Sequence, residues 1–146
     1  MKSRAIYNLD HKMENSENTK NSNVGKQQGV VMSDGDRQED CIFCRIVAGE
    51  VPSEKVYEDE TVYAFKDANP KAAVHVLIVP RRHYASVAEL AKADPDTLAH
   101  IVQVAQQIAD QDFHGAYRLI FNTGEDAGQS VFHVHAHVLT GQVLPE

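Results

Sequence analysis

The stretch SVFHVHAHVL, residues 130–139, decides both the fold and the chemistry of this chain. His133, His135 and His137 alternate with Val134, Ala136 and Val138. Successive side chains of a β-strand point to opposite faces, so the three imidazoles share one face and repeat about every 6.6 Å. The Val/Ala/Val side is apolar and suits packing against a helix.

Three imidazoles in register admit three readings. One is a half-buried strand whose polar face happens to carry histidines. A second is a catalytic metal site, for which a His-x-His pair supplies two ligands but no clear carboxylate completes an open shell. The third is a nucleophilic imidazole tuned by polar neighbours. The preceding loop, NTGEDAGQSVF (122–132), favours the third. It brings Asn122, Gly128, Gln129 and Ser130 just ahead of the histidines, a glycine-containing loop with neutral donors that suits a phosphate.

Outward from this strand the chain reads as α+β. CIFCRIVAG (41–49) is a short helix closed by Gly49, and Lys55–Glu58 and Thr61–Lys66 are two β-rich runs about an Asp-Glu turn. AVHVLIVP (73–80) is an apolar strand stopped by Pro80. A long helix follows, capped by Asp94, with Pro95 in its first turn and Gly115 just past its end. Its apolar stripe reads Leu98, Ile101, Val102, Ala105, Ile108 and Ala109. AYRLIFN (116–122) is the penultimate strand. This order implies a mostly antiparallel sheet.

The chain has 146 residues, 42% of them hydrophobic, enough for one domain. The stretch KMENSENTKNSNVGKQQG (12–29) is polar and almost empty of large apolar side chains, so residues 1–39 read as a disordered extension, with 40–146 as the domain. No apolar run reaches the roughly 18 to 20 residues that span a bilayer, and no secretory signal is visible; a cytoplasmic address is the expectation. A net charge of −7 without a basic stripe argues against nucleic-acid binding. The only cysteines, Cys41 and Cys44, form a Cys-x-x-Cys, open to a metal pair, a redox pair or two ordinary half-buried thiols.

His133-Val-His135-Ala-His137-Val-Leu resembles the signature of the histidine triad family of nucleotide hydrolases and transferases, in its Hint-like branch. CIFCRIVAGEVPSEKVYEDE, AFKDANP and VHVLIVPRRH are similar to the family's opening, ribose-side strand and central strand, so the resemblance spans roughly residues 40–142. It implies a five-stranded, mostly antiparallel sheet with two main helices, and a homodimer joined through the long helix and a strand. Val74 to Ile78 and Leu98 to Ala109 would then supply much of the dimer surface. The implied activity is that of a purine nucleoside phosphoramidase: His135 as nucleophile, His137 donating to the phosphate, His75 orienting the nucleophile and Ser130 helping to protonate the leaving amine. Asn122, Gly128, Gln129 and Ser130 match phosphate-side positions. Asp67 matches a ribose-binding position, beside Ala68 where a bulkier residue is common. Cys41, Cys44, His83 and His133 match a structural zinc site, and catalysis itself needs no cofactor. A dinucleoside polyphosphate hydrolase with the same nucleophile, or a nucleotide-binding regulator without turnover, are the alternatives.

Overall fold

The computed structural model describes residues 37–146, of which Glu39–Glu146 form one compact unit. The extension expected over 1–39 lies outside the described residues except for its last three positions. Five strands, β1 (Lys55–Glu58), β2 (Val62–Lys66), β3 (Val74–Pro80), β4 (Arg118–Ile120) and β5 (Ala136–Thr140), form one sheet. Its order is β1-β2-β3-β5-β4, with every neighbouring pair antiparallel. Three helices accompany it: α1 (Ile42–Val47), α2 (Val87–Ala93) and α3 (Pro95–Asp112).

Strand alternation sorts the core into two layers. Tyr63, Phe65, Leu77 and Val79 face α1 and cluster with Phe43, Cys41, Cys44 and Ile46. On the opposite face lie Val62, Ala64, Val76, Ile78 and Val138, all buried. There α3 packs across β3 and β5 with Ile101, Val104, Ala105 and Ile108. Burying a side chain of this size stabilises the fold by roughly 1.5–3 kcal/mol.

The helix starts follow the expected capping chemistry. Asp94 accepts from the Thr97 backbone N–H, and Pro95 occupies the first turn, where its missing N–H costs nothing. Cys41 caps α1, its Sγ accepting from the Cys44 N–H at 3.3 Å.

Three details differ from the sequence reading. First, α2 is an additional helix of seven residues, begun by Ser86, whose hydroxyl accepts from Glu89 N–H. Second, the buried stripe of α3 runs through Val104, while Val102 is 41% exposed. Third, the last strand begins at Ala136, not at Val131. Its ladder with β3 ends at Ile78↔Ala136. Continued by two residues it would pair Val134 with Pro80, which has no N–H to donate. Val134 N–H instead donates to Tyr84 O at 2.7 Å. Residues 133–135 are thus stitched to the loop after β3, outside the regular sheet.

Much of the apolar surface expected at a dimer contact is spent inside the protomer. Val76, Ile78, Ile101, Ala105 and Ile108 are all at 1% exposure or less. Among the described residues no helix is long and apolar enough to cross a membrane.

Candidate active site and metal-ligating cluster

Phe43 of α1 stands edge-on to both His133 and His135, with ring centroids 6.1 and 5.0 Å away, so these two histidines lie on the α1 side of the sheet. His135 and His137 follow each other at 5.0 Å. Beside them opens a cavity of about 550 Å³, within the range of small-ligand sites. Its apolar walls are Phe43, Ile46, Phe65, Leu77 and Val131. Its polar rim includes Asp67, Ser130, His135 and His137, with Glu54 and Lys66 paired at 3.1 Å.

Backbone partners determine which nitrogen of each ring carries the proton, because a carbonyl only accepts and an N–H only donates. His135 Nδ1 lies 2.9 Å from His133 O, so it is protonated and donates. The lone pair of a neutral His135 is therefore on Nε2, the nitrogen left for the cavity that the ring lines. Burial holds its pKa below the ordinary value against the raising effects of the His133 carbonyl and Asp67, which keeps the ring neutral at pH 7.

His75 is buried and shows the opposite tautomer: Lys71 N–H donates to its Nδ1 at 2.9 Å, placing the proton on Nε2. That nitrogen is 3.0 Å from His137 Nδ1 and 3.3 Å from Asp67 Oδ2. His75 thus touches the third histidine, whereas the expectation had it orienting His135. The pKa of His137 is lowered to about 4, first by burial and then by the neighbouring His135 and His75, against the pull of Asp67.

The loop residues divide. Ser130 and Ala68 line the cavity. Gln129 is buried and braces the loop: its Oε1 accepts from Gly124 N–H at 2.9 Å, and its Nε2 donates to Ala85 O at 2.7 Å and Val131 O at 3.1 Å. The N–H groups of Gly128 and Gln129 are likewise taken, by Glu125 O and Gly124 O. Gly128, at φ +98, supplies the left-handed turn that closes this brace. Asn122, Gly128 and Gln129 all stand outside the cavity wall. For Gln129 this corrects the expectation of a ligand contact: an amide with both ends engaged has little left to offer.

A second group lies behind the first. Cys41, Cys44, His83 and His133 bring one donor atom each within 4.8 Å of one another and are able to hold a metal ion. His133 Nδ1 is 3.5 Å from both sulfurs, and His83 Nδ1 is 3.4 Å from Cys44 Sγ. A tetrahedron with Zn–S of about 2.3 Å and Zn–N of about 2.0 Å has S···N edges of roughly 3.5 Å, close to these separations. His133 Nε2 donates to Pro80 O at 2.8 Å, which leaves the Nδ1 lone pair facing the sulfurs. Burial, the largest influence, takes the His133 pKa down to about 4, so the ring is neutral, as a ligand must be.

Asp67, His75 and His137 also bring donor atoms within 4.8 Å of one another. Here the tautomer speaks against an ion. A metal at His75 Nε2 would send the proton to Nδ1, into the N–H of Lys71.

The cavity walls from α1 and β2, and the Lys71 N–H, were not picked out from sequence. Phe43 and Phe65 carry no signal in the sequence beyond the helix and strand that hold them, and a backbone N–H leaves no trace in the residue type.

Residues 40–144 match the family described as "Scavenger mRNA decapping enzyme C-term binding". The purine nucleoside phosphoramidase of Escherichia coli is 39% identical over 108 residues, 73% of this chain and 91% of that protein. Among solved structures, a histidine triad protein from Clostridium difficile is 45% identical with a TM-score of 0.71, covering 75% of this chain and 97% of its own. A HIT family hydrolase from Legionella pneumophila is 37% identical at a TM-score of 0.69, over 73% and 96% of the two chains. The chain belongs to the histidine triad family, and it is a hydrolase of that family.

Proposed function

We propose that this histidine triad hydrolase cleaves purine nucleoside 5′-phosphoramidates at the α-phosphorus through a nucleotidyl intermediate on His135. The observation that carries the reading is the His135 tautomer: Nδ1 donates to the His133 carbonyl at 2.9 Å, so the Nε2 lone pair is available beside the cavity. The lone pair attacks phosphorus and the P–N bond to the leaving amine breaks, the amine departing with a proton. Water then attacks the same phosphorus, breaking its bond to Nε2 and releasing the nucleoside monophosphate. Two displacements of moderate height replace one difficult one.

His137, with Nδ1 accepting from His75, presents its own proton on Nε2 as a donor to the phosphoryl oxygens. Ser130, on the cavity wall, delivers the proton that the leaving amine needs. Asp67 takes the ribose hydroxyls, and Phe43, Ile46, Phe65 and Leu77 enclose the flat base. The relative in Escherichia coli named a purine nucleoside phosphoramidase supports this substrate class.

The metal belongs to the same reading. Two thiolates and two neutral imidazoles suit zinc, and Cys41, Cys44, His83 and His133 would hold it in a closed structural site. Bound there it ties α1 to the segment that carries the nucleophile; four protein ligands leave no open position for substrate. A homodimer and a cytoplasmic address complete the proposal.

Hydrolysis of adenosine 5′-phosphoramidate by the purified chain, with His135→Ala as the blank, tests it. AMP and ammonia are expected from the wild type alone. Turnover of a dinucleoside polyphosphate but not of the phosphoramidate would move the enzyme to the other substrate class.

A further inference from the structure

Asp67, His75 and His137 form a row in which the one ring proton of His75 is hydrogen-bonded to His137 and lies beside a carboxylate oxygen. His75 Nδ1 is occupied by the Lys71 N–H at 2.9 Å, so the single proton of the neutral ring is on Nε2. From there it is hydrogen-bonded to His137 Nδ1 at 3.0 Å, with the charge of Asp67 Oδ2 3.3 Å away drawing on it. The other carboxylate oxygen, Oδ1, already accepts from Asn69 N–H at 2.8 Å. Oδ2 is the oxygen beside the His75 ring, and a ligand hydroxyl placed on it draws on the same charge. The segment supplying both N–H groups is anchored from the far end of the chain, where Gln142 Oε1 accepts from Ala73 N–H at 2.6 Å.

Asp67 and His137 line the same cavity. A hydroxyl donating to Oδ2 satisfies part of the carboxylate and weakens its hold on the His75 proton. The Nε2–H of His75 then donates wholly to His137 Nδ1, which commits His137 to carrying its own proton on Nε2.

We propose that Asp67 is a positioning residue that acts through His75: a substrate hydroxyl on Oδ2 draws the carboxylate's charge away from the His75 Nε2–H, which strengthens its donation to His137 Nδ1 and fixes His137 as a donor. The inference rests on the reading of His137 as the phosphate donor. Under it, recognition of the sugar is felt at the phosphorus, and a nucleotide bearing the vicinal diol is turned over faster, not merely bound more tightly. A carboxylate that only grips ribose would change KM alone.

The test reads the rings before it reads turnover. In the ligand-free full chain, nitrogen-15 spectra of the histidines are expected to show His75 and His137 protonated at Nε2. Adding AMP should move the His75 Nε2–H signal further than 2′,3′-dideoxy-AMP does, since both nucleotides bring a phosphate to His137 and only AMP brings the diol. In Asp67→Asn, a near-isosteric change that keeps an oxygen for Asn69, the two nucleotides should act alike on it. His75 protonated at Nδ1, or the two nucleotides acting alike on the wild type, overturns the relay whatever the chain hydrolyses. The kinetic counterpart compares adenosine and 2′,3′-dideoxyadenosine phosphoramidates. Loss of the diol should lower wild-type kcat roughly tenfold, about the weight of one hydrogen bond, and leave the kcat of Asp67→Asn unchanged. An effect confined to KM contradicts the proposal. Absence of any phosphoramidate turnover would count against the reaction while leaving the spectroscopic result to stand or fall alone.

Discussion

At His135, His75 and His133 the reactive nitrogen is chosen by a main-chain group: the His133 carbonyl, the Lys71 N–H and the Pro80 carbonyl respectively. The row of alternating histidines was legible in the sequence because side-chain alternation is a property of residue order. The tautomers were not, because any residue could have supplied those backbone groups. For the same reason Gln129 read as a ligand although its amide braces the loop from both ends. At this scale two outcomes are expected. Ser130→Ala should keep the fold and lower kcat roughly 10²-fold with alkyl-amine leaving groups, with a smaller loss for a leaving group that departs without a proton. Equal losses for both would remove Ser130 from proton delivery. With burial holding the His135 pKa below its ordinary value and taking that of His137 to about 4, kcat/KM should hold through pH 6.5, fall first as the nucleophilic ring is protonated, and fall again as pH 4 is approached. There a second proton on His137 would sit on Nδ1, opposite the His75 Nε2–H only 3.0 Å away. A break near pH 6.5 in kcat/KM would show that the ring titrates as if exposed.

Among the elements, the β1–β2 turn carries the densest polar network away from the cavity. Asp59 accepts from His100 Nε2–H at 2.6 Å, Tyr57 O–H at 2.7 Å, and the N–H groups of Thr61 and Val62 at 2.8 and 2.9 Å. Burial alone would raise its pKa, but these four donors outweigh that and hold it at about 2. The folded pKa lies below the unfolded one, so the stabilisation is complete above about pH 4 and is lost as pH falls toward 2. Asp59→Asn should cost roughly 2 kcal/mol near neutral pH and very little at pH 2, as read from urea unfolding at the two pH values. A loss that is independent of pH would mean that the carboxylate's charge is not what stabilises the turn. Element positions came through in the sequence where punctuation was strong: Asp94-Pro95 opens α3, and Pro80 ends β3. They were missed where punctuation was present but the run was short. Ser86 and Glu89 mark the start of α2, yet seven residues with one fully buried side chain give too little periodicity to stand out. Val102 was placed on the buried stripe of α3 because valine suits it; the choice between Val102 and Val104 depends on how the helix is rotated against β3 and β5, which is a tertiary property.

In the molecule as a whole, the proposed nucleophile and the Cys/His cluster meet at one residue, His133. The ring of His133 faces the two sulfurs, and its carbonyl orients His135. The purified chain is expected to carry close to one zinc per protomer by elemental analysis, and cobalt substitution should give the strong visible bands of a tetrahedral thiolate site. Cys44→Ser should lose the metal and lower Tm, since the ion binds the folded arrangement far better than the unfolded chain. Full zinc content in that variant would place the ion elsewhere. Sedimentation of the full chain addresses the homodimer, for which a monomer at micromolar concentration is the contrary result.

The proposed covalent step on His135 is tested most directly by mass spectrometry of the enzyme quenched at high pH during turnover of adenosine 5′-phosphoramidate. An acid-labile adenylyl group is predicted on the peptide containing His135, appearing within the first turnover and absent from His135→Ala. Steady release of AMP with that peptide unmodified at every time point, or the group found on another residue, would contradict it.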